Sequence, residues 1–223
     1  MKINKEGLVG IRINTLVFII IIGVVTATAL KFEWPWWVLL LVDGFLLWRI
    51  IFFIYFFREP ERKQLRDEEL VYAPADGKVV VIEEVDGPEV MGGRCLQLSV
   101  YMNFYNVHVN WSPVAGEVIH KEHFDGEFLL AWSPKSSSLN EHTTVGVKTE
   151  KSGVVVFRQI AGWIARRIVC YPEVGDRLEQ NQKVGCIKFG SRVDVFVPLG
   201  SEVLVSLNEK VVGSQTPLVR LPK

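Results

Sequence analysis

Lys188-Phe189-Gly190-Ser191-Arg192-Val193-Asp194-Val195 decides how this sequence is read. A Gly-Ser bond sits between two stretches with strand character, Val184–Phe189 and Val193–Val197. At a strand end such a dipeptide is ordinarily a bend, because glycine tolerates backbone shapes that other residues resist. It also permits a chemical step. A serine hydroxyl can attack the carbonyl before it, move the acyl group from nitrogen to oxygen, and leave an ester. Elimination of that ester gives dehydroalanine, which hydrolyses to a pyruvoyl group and ammonia. The chain would then end at Gly190 and restart at a ketone derived from Ser191. The dipeptide alone leaves both readings open.

Outward from this point the pattern is β. Short apolar segments punctuated by Gly, Pro, Asn and Asp predict strands over Val79–Val85, Cys95–Met102, Val107–Trp111, Gly116–His120, Thr144–Thr149, Gly153–Gln159 and Glu202–Leu207. The stretch Ala161–Val169 is ambiguous. The expected fold is mainly β, a β-sandwich or barrel-like catalytic domain over residues 61–223.

Residues 1–60 differ. Two apolar runs, Thr15–Leu30 and Trp36–Phe57, flank Lys31-Phe32-Glu33-Trp34-Pro35. The second is long enough to span a bilayer, and the first spans it only with help from Ile11 and Ile13. Trp34, Trp36 and Trp37 around Pro35 suit a turn at a membrane interface. A cleaved signal peptide and a re-entrant helix are the alternatives. Asp43 and Arg49 lie inside the second run, where charges need partners. Basic residues cluster outside both outer ends: Lys2, Lys5 and Arg12 before, and Arg58, Arg62, Lys63 and Arg66 after. The positive-inside rule then predicts a transmembrane helical hairpin in the cell (inner) membrane with the rest of the chain on the cytoplasmic side.

The 223 residues carry 25 Lys plus Arg against 25 Asp plus Glu, so bulk charge gives no argument for nucleic acid as a partner. Cys95, Cys170 and Cys186 lack metal-ligand spacing and read as buried thiols. His120 and His123 could share a helical turn, but no third ligand is spaced near them, so no metal is expected. Other candidates have bland readings as well as functional ones. Asp76 lies in a Pro-Ala-Asp-Gly turn, and His108 sits in an apolar strand. Ser133–Ser138 forms a polar loop, and Arg166 with Arg167 could grip a phosphate.

Four ordered motifs carry a resemblance. Tyr72–Lys78 contains PADG, Asn103–Val118 reads NFYNVHVNWSPVAGEV, Arg158–Val169 reads RQIAGWIARRIV, and Lys188–Pro198 reads KFGSRVDVFVP. In this order they resemble the phosphatidylserine decarboxylase proenzyme family, most of all its short, membrane-anchored bacterial and archaeal branch. The resemblance runs from about Tyr72 to Val197, and the apolar hairpin also fits it. It implies that Ser191 cuts the Gly190–Ser191 bond and becomes the covalent pyruvoyl cofactor, with His108 and Asp76 completing a processing triad. The chemistry agrees, since serine needs an adjacent base and a carboxylate can orient a histidine. Processing would yield a large chain 1–190 and a small chain 191–223 that stay together. The implied activity is decarboxylation of phosphatidylserine in the bilayer to phosphatidylethanolamine, through a Schiff base to the pyruvoyl group. The state of self-association is left open.

One position departs from the family. Many relatives carry a second histidine three residues before the one matching His108, and here that residue is Tyr105. A second Gly-Ser, Gly213–Ser214, would release only residues 214–223, so Ser191 is the expected cut. Two competing readings remain. One is a membrane-tethered lipoyl- or biotinyl-like β-domain adaptor with Lys78 as its carrier lysine and an uncut chain. The other is a pyruvoyl enzyme for a soluble amino acid, which would need no anchor.

Overall fold

Asn4 starts the first helix: its side-chain oxygen accepts from the Glu6 N–H at 3.1 Å, as an N-cap does. The computed structural model describes residues 2–127, 129, 136–162, 167–188 and 191–222. Helix α1 runs Lys5–Lys31 and α2 runs Trp36–Phe56. With 27 residues, α1 takes in Ile11 and Ile13 and extends beyond its apolar run. At about 1.5 Å per residue both helices reach across a hydrocarbon layer of roughly 30 Å. Strands β1 (Lys2–Ile3) and β2 (Arg58–Glu59) pair antiparallel, and the Asn4 N–H donates to the Phe57 carbonyl at 2.8 Å. These contacts tie the outer ends of the two helices side by side and make a hairpin. Gly7 permits the closure, because a Cβ there would lie 2.2 Å from the Phe57 ring.

Both helices are long and apolar enough to cross a membrane, and their apolar flanks are exposed, Leu16 at 61% and Trp36 at 74%. A core helix of a soluble protein would hide these side chains. Of the two charges in the second run, Arg49 lies 5.7 Å from the rings of Phe18 and Phe53. Asp43 buries Oδ1 without a hydrogen-bond partner among the described residues.

Residues from Arg62 onward form a second unit. Its strands are β3 (Leu70–Tyr72), β4 (Gly77–Asp86), β5 (Arg94–Met102), β6 (Val109–Trp111), β7 (Gly116–Phe124), β8 (His142–Lys148), β9 (Val154–Ile160) and β10 (Arg167–Cys170). They continue with β11 (Arg177–Leu178), β12 (Lys183–Lys188), β13 (Ser191–Pro198), β14 (Glu202–Val203), β15 (Lys210–Val211) and β16 (Pro217–Arg220). Eight make one antiparallel sheet, β11-β7-β8-β9-β13-β5-β4-β15, curled into a half-barrel. Two three-stranded sheets, β10-β12-β6 and β14-β16-β3, complete the unit. The mainly β expectation holds.

The core follows from period-2 alternation. On β13, Val193, Val195 and Val197 enter the main apolar cluster with Leu98, Val100 and Phe157, while Phe196 packs on the other face with Cys95 and Val156. Two expected strands are shorter than their apolar patterns. Residues 103–106 turn before β6 begins at Val109. Glu202–Leu207 narrows to Glu202–Val203, because Ser206–Glu209 is a turn with Asn208 at φ 72° and the Ser206 N–H donating to the Glu209 carboxylate at 2.8 Å. The ambiguous stretch ends in β10, with Arg167 exposed and Arg166 outside the described residues.

Candidate active site

Ser191 is the first residue of β13 and is fully buried. It pairs with Met102 of β5, and its Oγ lies 3.9 Å from the Met102 sulfur. Strand β13 is central: it pairs with β5 along Ser191–Pro198 and with β9 along Arg192–Phe196. Gly190 and Phe189 lie outside the described residues.

The same sulfur meets the Asn110 amide nitrogen at 3.9 Å. Asn110, on β6, in turn accepts from Gln159 Nε2 at 2.8 Å. Asn110 and Gln159 are both 0% exposed. Gly185 of β12 makes room for them. A Cβ there would lie 1.9 Å from the Val169 carbonyl oxygen and 3.2 Å from Gln159 Nε2. Sequence reasoning missed this amide pair, because both residues look like ordinary polar interruptions of apolar strands.

His108 is buried at the entrance to β6, with Nδ1 3.0 Å from the Asn106 carbonyl. A carbonyl only accepts, so Nδ1 carries the hydrogen and a neutral ring presents Nε2 as its basic nitrogen. The turn that supplies this carbonyl is braced twice, by the Asn103 N–H to Asn106 Oδ1 and the Tyr105 N–H to Asn103 Oδ1, each at 2.9 Å. Tyr105 itself is 69% exposed.

Asp76 meets Arg62, whose Nη2 lies 2.7 Å from Oδ1 and 2.8 Å from Oδ2, and Oδ1 also accepts the Gly213 N–H at 2.8 Å. Arg62 further donates to the Gly213 carbonyl and lies 4.3 Å over the Trp111 ring. The sequence reading has a carboxylate orienting the histidine. The structure has a backbone carbonyl on His108 Nδ1, and an arginine and a backbone amide on Asp76. Gly213–Ser214 is the turn that clasps Asp76. Its Ser214, with φ 59°, donates its N–H to the Ala73 carbonyl at 2.8 Å.

On the opposite face of β13 a buried ion pair lies directly beyond Ser191. Arg192 Nε is 2.5 Å from Asp194 Oδ1 and Nη2 is 3.0 Å from Oδ2, with the two side chains 1% and 0% exposed. Gln97 Nε2 at 3.1 Å and Ser137 Oγ at 2.6 Å also donate to Asp194 Oδ2. Ser137 belongs to the short helix α3 (Ser136–Leu139), so part of the expected polar loop is pinned here, while Ser133–Lys135 lie outside the described residues. Arg158 joins through the Ser137 carbonyl at 2.9 Å. Burial pushes its guanidinium below the usual arginine range, and Asp194 opposes that shift. The sequence trace of its central ion pair is two charges at i and i+2 in an apolar strand.

The remaining candidates separate. HKEH falls on β7, a strand and not a helical turn, so His120 and His123 project to opposite faces. Each faces a nearby carboxylate, Glu122 at 3.7 Å and Asp125 at 3.4 Å. Cys95 and Cys186 are buried, and burial pushes the Cys170 thiol up to about 11. Lys78 lies within β4 between β5 and β15, not at the hairpin tip that a carrier lysine needs.

Comparison with known proteins matches residues 50–219 to the family described as phosphatidylserine decarboxylase. A phosphatidylserine decarboxylase proenzyme of Porphyromonas gingivalis is 48% identical over 82% of this chain and 86% of its own. One from Parabacteroides distasonis is 42% identical over 100% of both chains, and one from Phocaeicola vulgatus is 50% identical over 74% of this chain and 73% of its own.

Proposed function

The chain belongs to the phosphatidylserine decarboxylase family, and we propose that it makes its own electrophile by cutting the Gly190–Ser191 bond. It is a carboxy-lyase acting on phosphatidylserine. The observation that carries the finer reading is the burial of Ser191 at the head of a central strand. Water is kept from an ester formed there, so elimination can compete with hydrolysis. A cut at its N-terminal side would leave β13 held from both flanks, and the small chain 191–223 would stay in the sheet.

The residues around Ser191 fit a ketone at that position. Its Oγ packs on a thioether, and the buried Asn110–Gln159 pair supplies neutral polar groups close by. The pyruvoyl group would serve as the electron sink for decarboxylation, through a Schiff base to the substrate amine. His108 is assigned as the base that takes the Ser191 proton, with the Asn106 carbonyl fixing its tautomer. Asp76 is assigned to processing as a member of a clasp with Arg62 and Gly213.

The apolar hairpin accounts for the substrate, whose acyl chains stay in the bilayer while the headgroup reacts. The basic residues outside both helix ends support a cytoplasmic position for the catalytic unit. Mass spectrometry of the purified protein tests the reading: two chains are expected, the smaller beginning with a ketone at position 191. Ser191→Ala should give one intact, inactive chain, and His108→Ala should slow or stop division. A wild-type chain that stays whole while converting lipid would refute the proposal.

A further inference from the structure

Gln159 holds a buried acceptor without a donor among the described residues. As the β9 partner of Val193 it stands on the same sheet face as Ser191, one diagonal step away and within reach of a long side chain. Its Nε2 donates to Asn110 Oδ1 at 2.8 Å and to the Val169 carbonyl at 3.4 Å. That carbonyl only accepts, so turning the amide over would set oxygen against oxygen. Gln159 Oε1 is therefore fixed as an acceptor, and it has no hydrogen-bond partner among the described residues. Such a group costs stability, and a fold that keeps one beside its reactive residue has a use for it. Gly185 supports the arrangement, since any side chain there would press on the same amide and carbonyl.

We propose that Gln159 Oε1 accepts the N–H of the substrate's primary amine as that amine joins the carbon derived from Ser191. Gln159 is then a recognition residue for a primary amino group, and Asn110 is the positioning residue that pins it. The inference rests on the reading that Ser191 becomes a ketone. In the condensation a carbon–nitrogen bond forms, and the ketone oxygen departs as water with two of the three ammonium protons. One N–H stays on the nitrogen, and the fixed acceptor receives it. A neutral acceptor suits the task. A carboxylate here would hold the amine as ammonium and keep its lone pair from the carbonyl carbon, whereas an amide oxygen orients the nitrogen without trapping its charge.

The test uses the full chain in detergent micelles. Gln159→Met keeps most of the volume and removes the acceptor. Phenylhydrazine, which needs no orientation by the protein, measures the ketone on the small chain. Phosphatidylserine with cyanoborohydride measures productive condensation, read as added mass on residues 191–223. The variant should divide and take phenylhydrazine as the wild type does. Its trapping of subsaturating phosphatidylserine should fall by about tenfold or more, with KM raised in step. Unchanged trapping and KM would overturn the proposal. Should Gln159→Met fail to divide, phosphatidyl-N-methylserine on the wild-type chain decides, because its nitrogen keeps no N–H after condensation. Trapping at least about tenfold below phosphatidylserine supports the proposal, and trapping within about twofold sinks it. A wild-type chain that neither divides nor takes phenylhydrazine refutes the ketone itself, a result distinct from either outcome at Gln159.

Discussion

Asp194→Asn should be among the most damaging near-isosteric changes in this protein. Asp194 is 0% exposed and accepts from Arg192 Nε and Nη2, Gln97 Nε2 and Ser137 Oγ, all within 3.1 Å. The amide keeps the shape, but it removes the charge that balances Arg192 and turns one acceptor into a donor facing donors. Removing one partner of a buried pair costs about 3–5 kcal/mol, mostly for the charge left behind. That is a large share of the ~5–15 kcal/mol that holds a typical domain together. For a unit of this size it corresponds to a fall in Tm of roughly 6–20 °C. Thermal unfolding of the full chain in detergent, followed by near-UV circular dichroism, measures it. The double variant Arg192→Met/Asp194→Leu removes both charges. It should recover much of the loss, with a coupling of about 2 kcal/mol or more. A cost below about 1 kcal/mol for Asp194→Asn, or strictly additive single changes, would refute the reasoning.

Three further outcomes are expected. Gly185→Ala sets a Cβ 1.9 Å from a backbone oxygen that cannot step aside, so its cost should match or exceed the upper end of the usual ~1–3 kcal/mol for overpacking, read as lost soluble yield and lowered Tm. Cys170, with its thiol pushed up to about 11 by burial, should resist iodoacetamide at pH 8 in the folded protein and react fully in urea, as followed by mass spectrometry. His142 is held below the ordinary imidazole range, first by burial and also by Arg158, while the Asn140 carbonyl opposes. The folded state therefore prefers the neutral ring. Below about pH 6.5 the unfolded chain takes up the proton more readily, so this contribution is whole above that pH and is lost as pH falls. His142→Gln should flatten the stability profile in that window.

Much of the architecture was legible because it depends on local periodicity. The alternation of Val193, Val195 and Val197 with Arg192, Asp194 and Phe196 announces a strand buried on both faces. The two apolar runs, joined by a Pro and Trp turn, announce a hairpin of helices. Where periodicity competed with turn chemistry the boundaries slipped, as at Asn103–Asn106 and Ser206–Glu209, because short polar side chains closed on the backbone. The motifs named Ser191, His108 and Asp76 as candidates. Their partners were not named by the motifs: Arg62 reads as one of a basic cluster, Gly213 as part of a second Gly-Ser and Asn106 as one residue of a motif, and only the fold brings each to its contact.

The sequence by itself determined that this chain pairs two apolar helical runs with a β unit and places a Gly-Ser bond between two strands. Those features depend on residue order along a few turns or strands. Only the tertiary structure decided that β9 lies beside β13, with β12 packed against the same core and β6 paired to β12. That placement sets Gln159 and Asn110 next to Ser191 and seals Arg192 against Asp194 behind it. Side chains far apart along the chain share a buried site only once strand pairing has been chosen. The burial of whole apolar faces makes that choice, not the polar residues that use it.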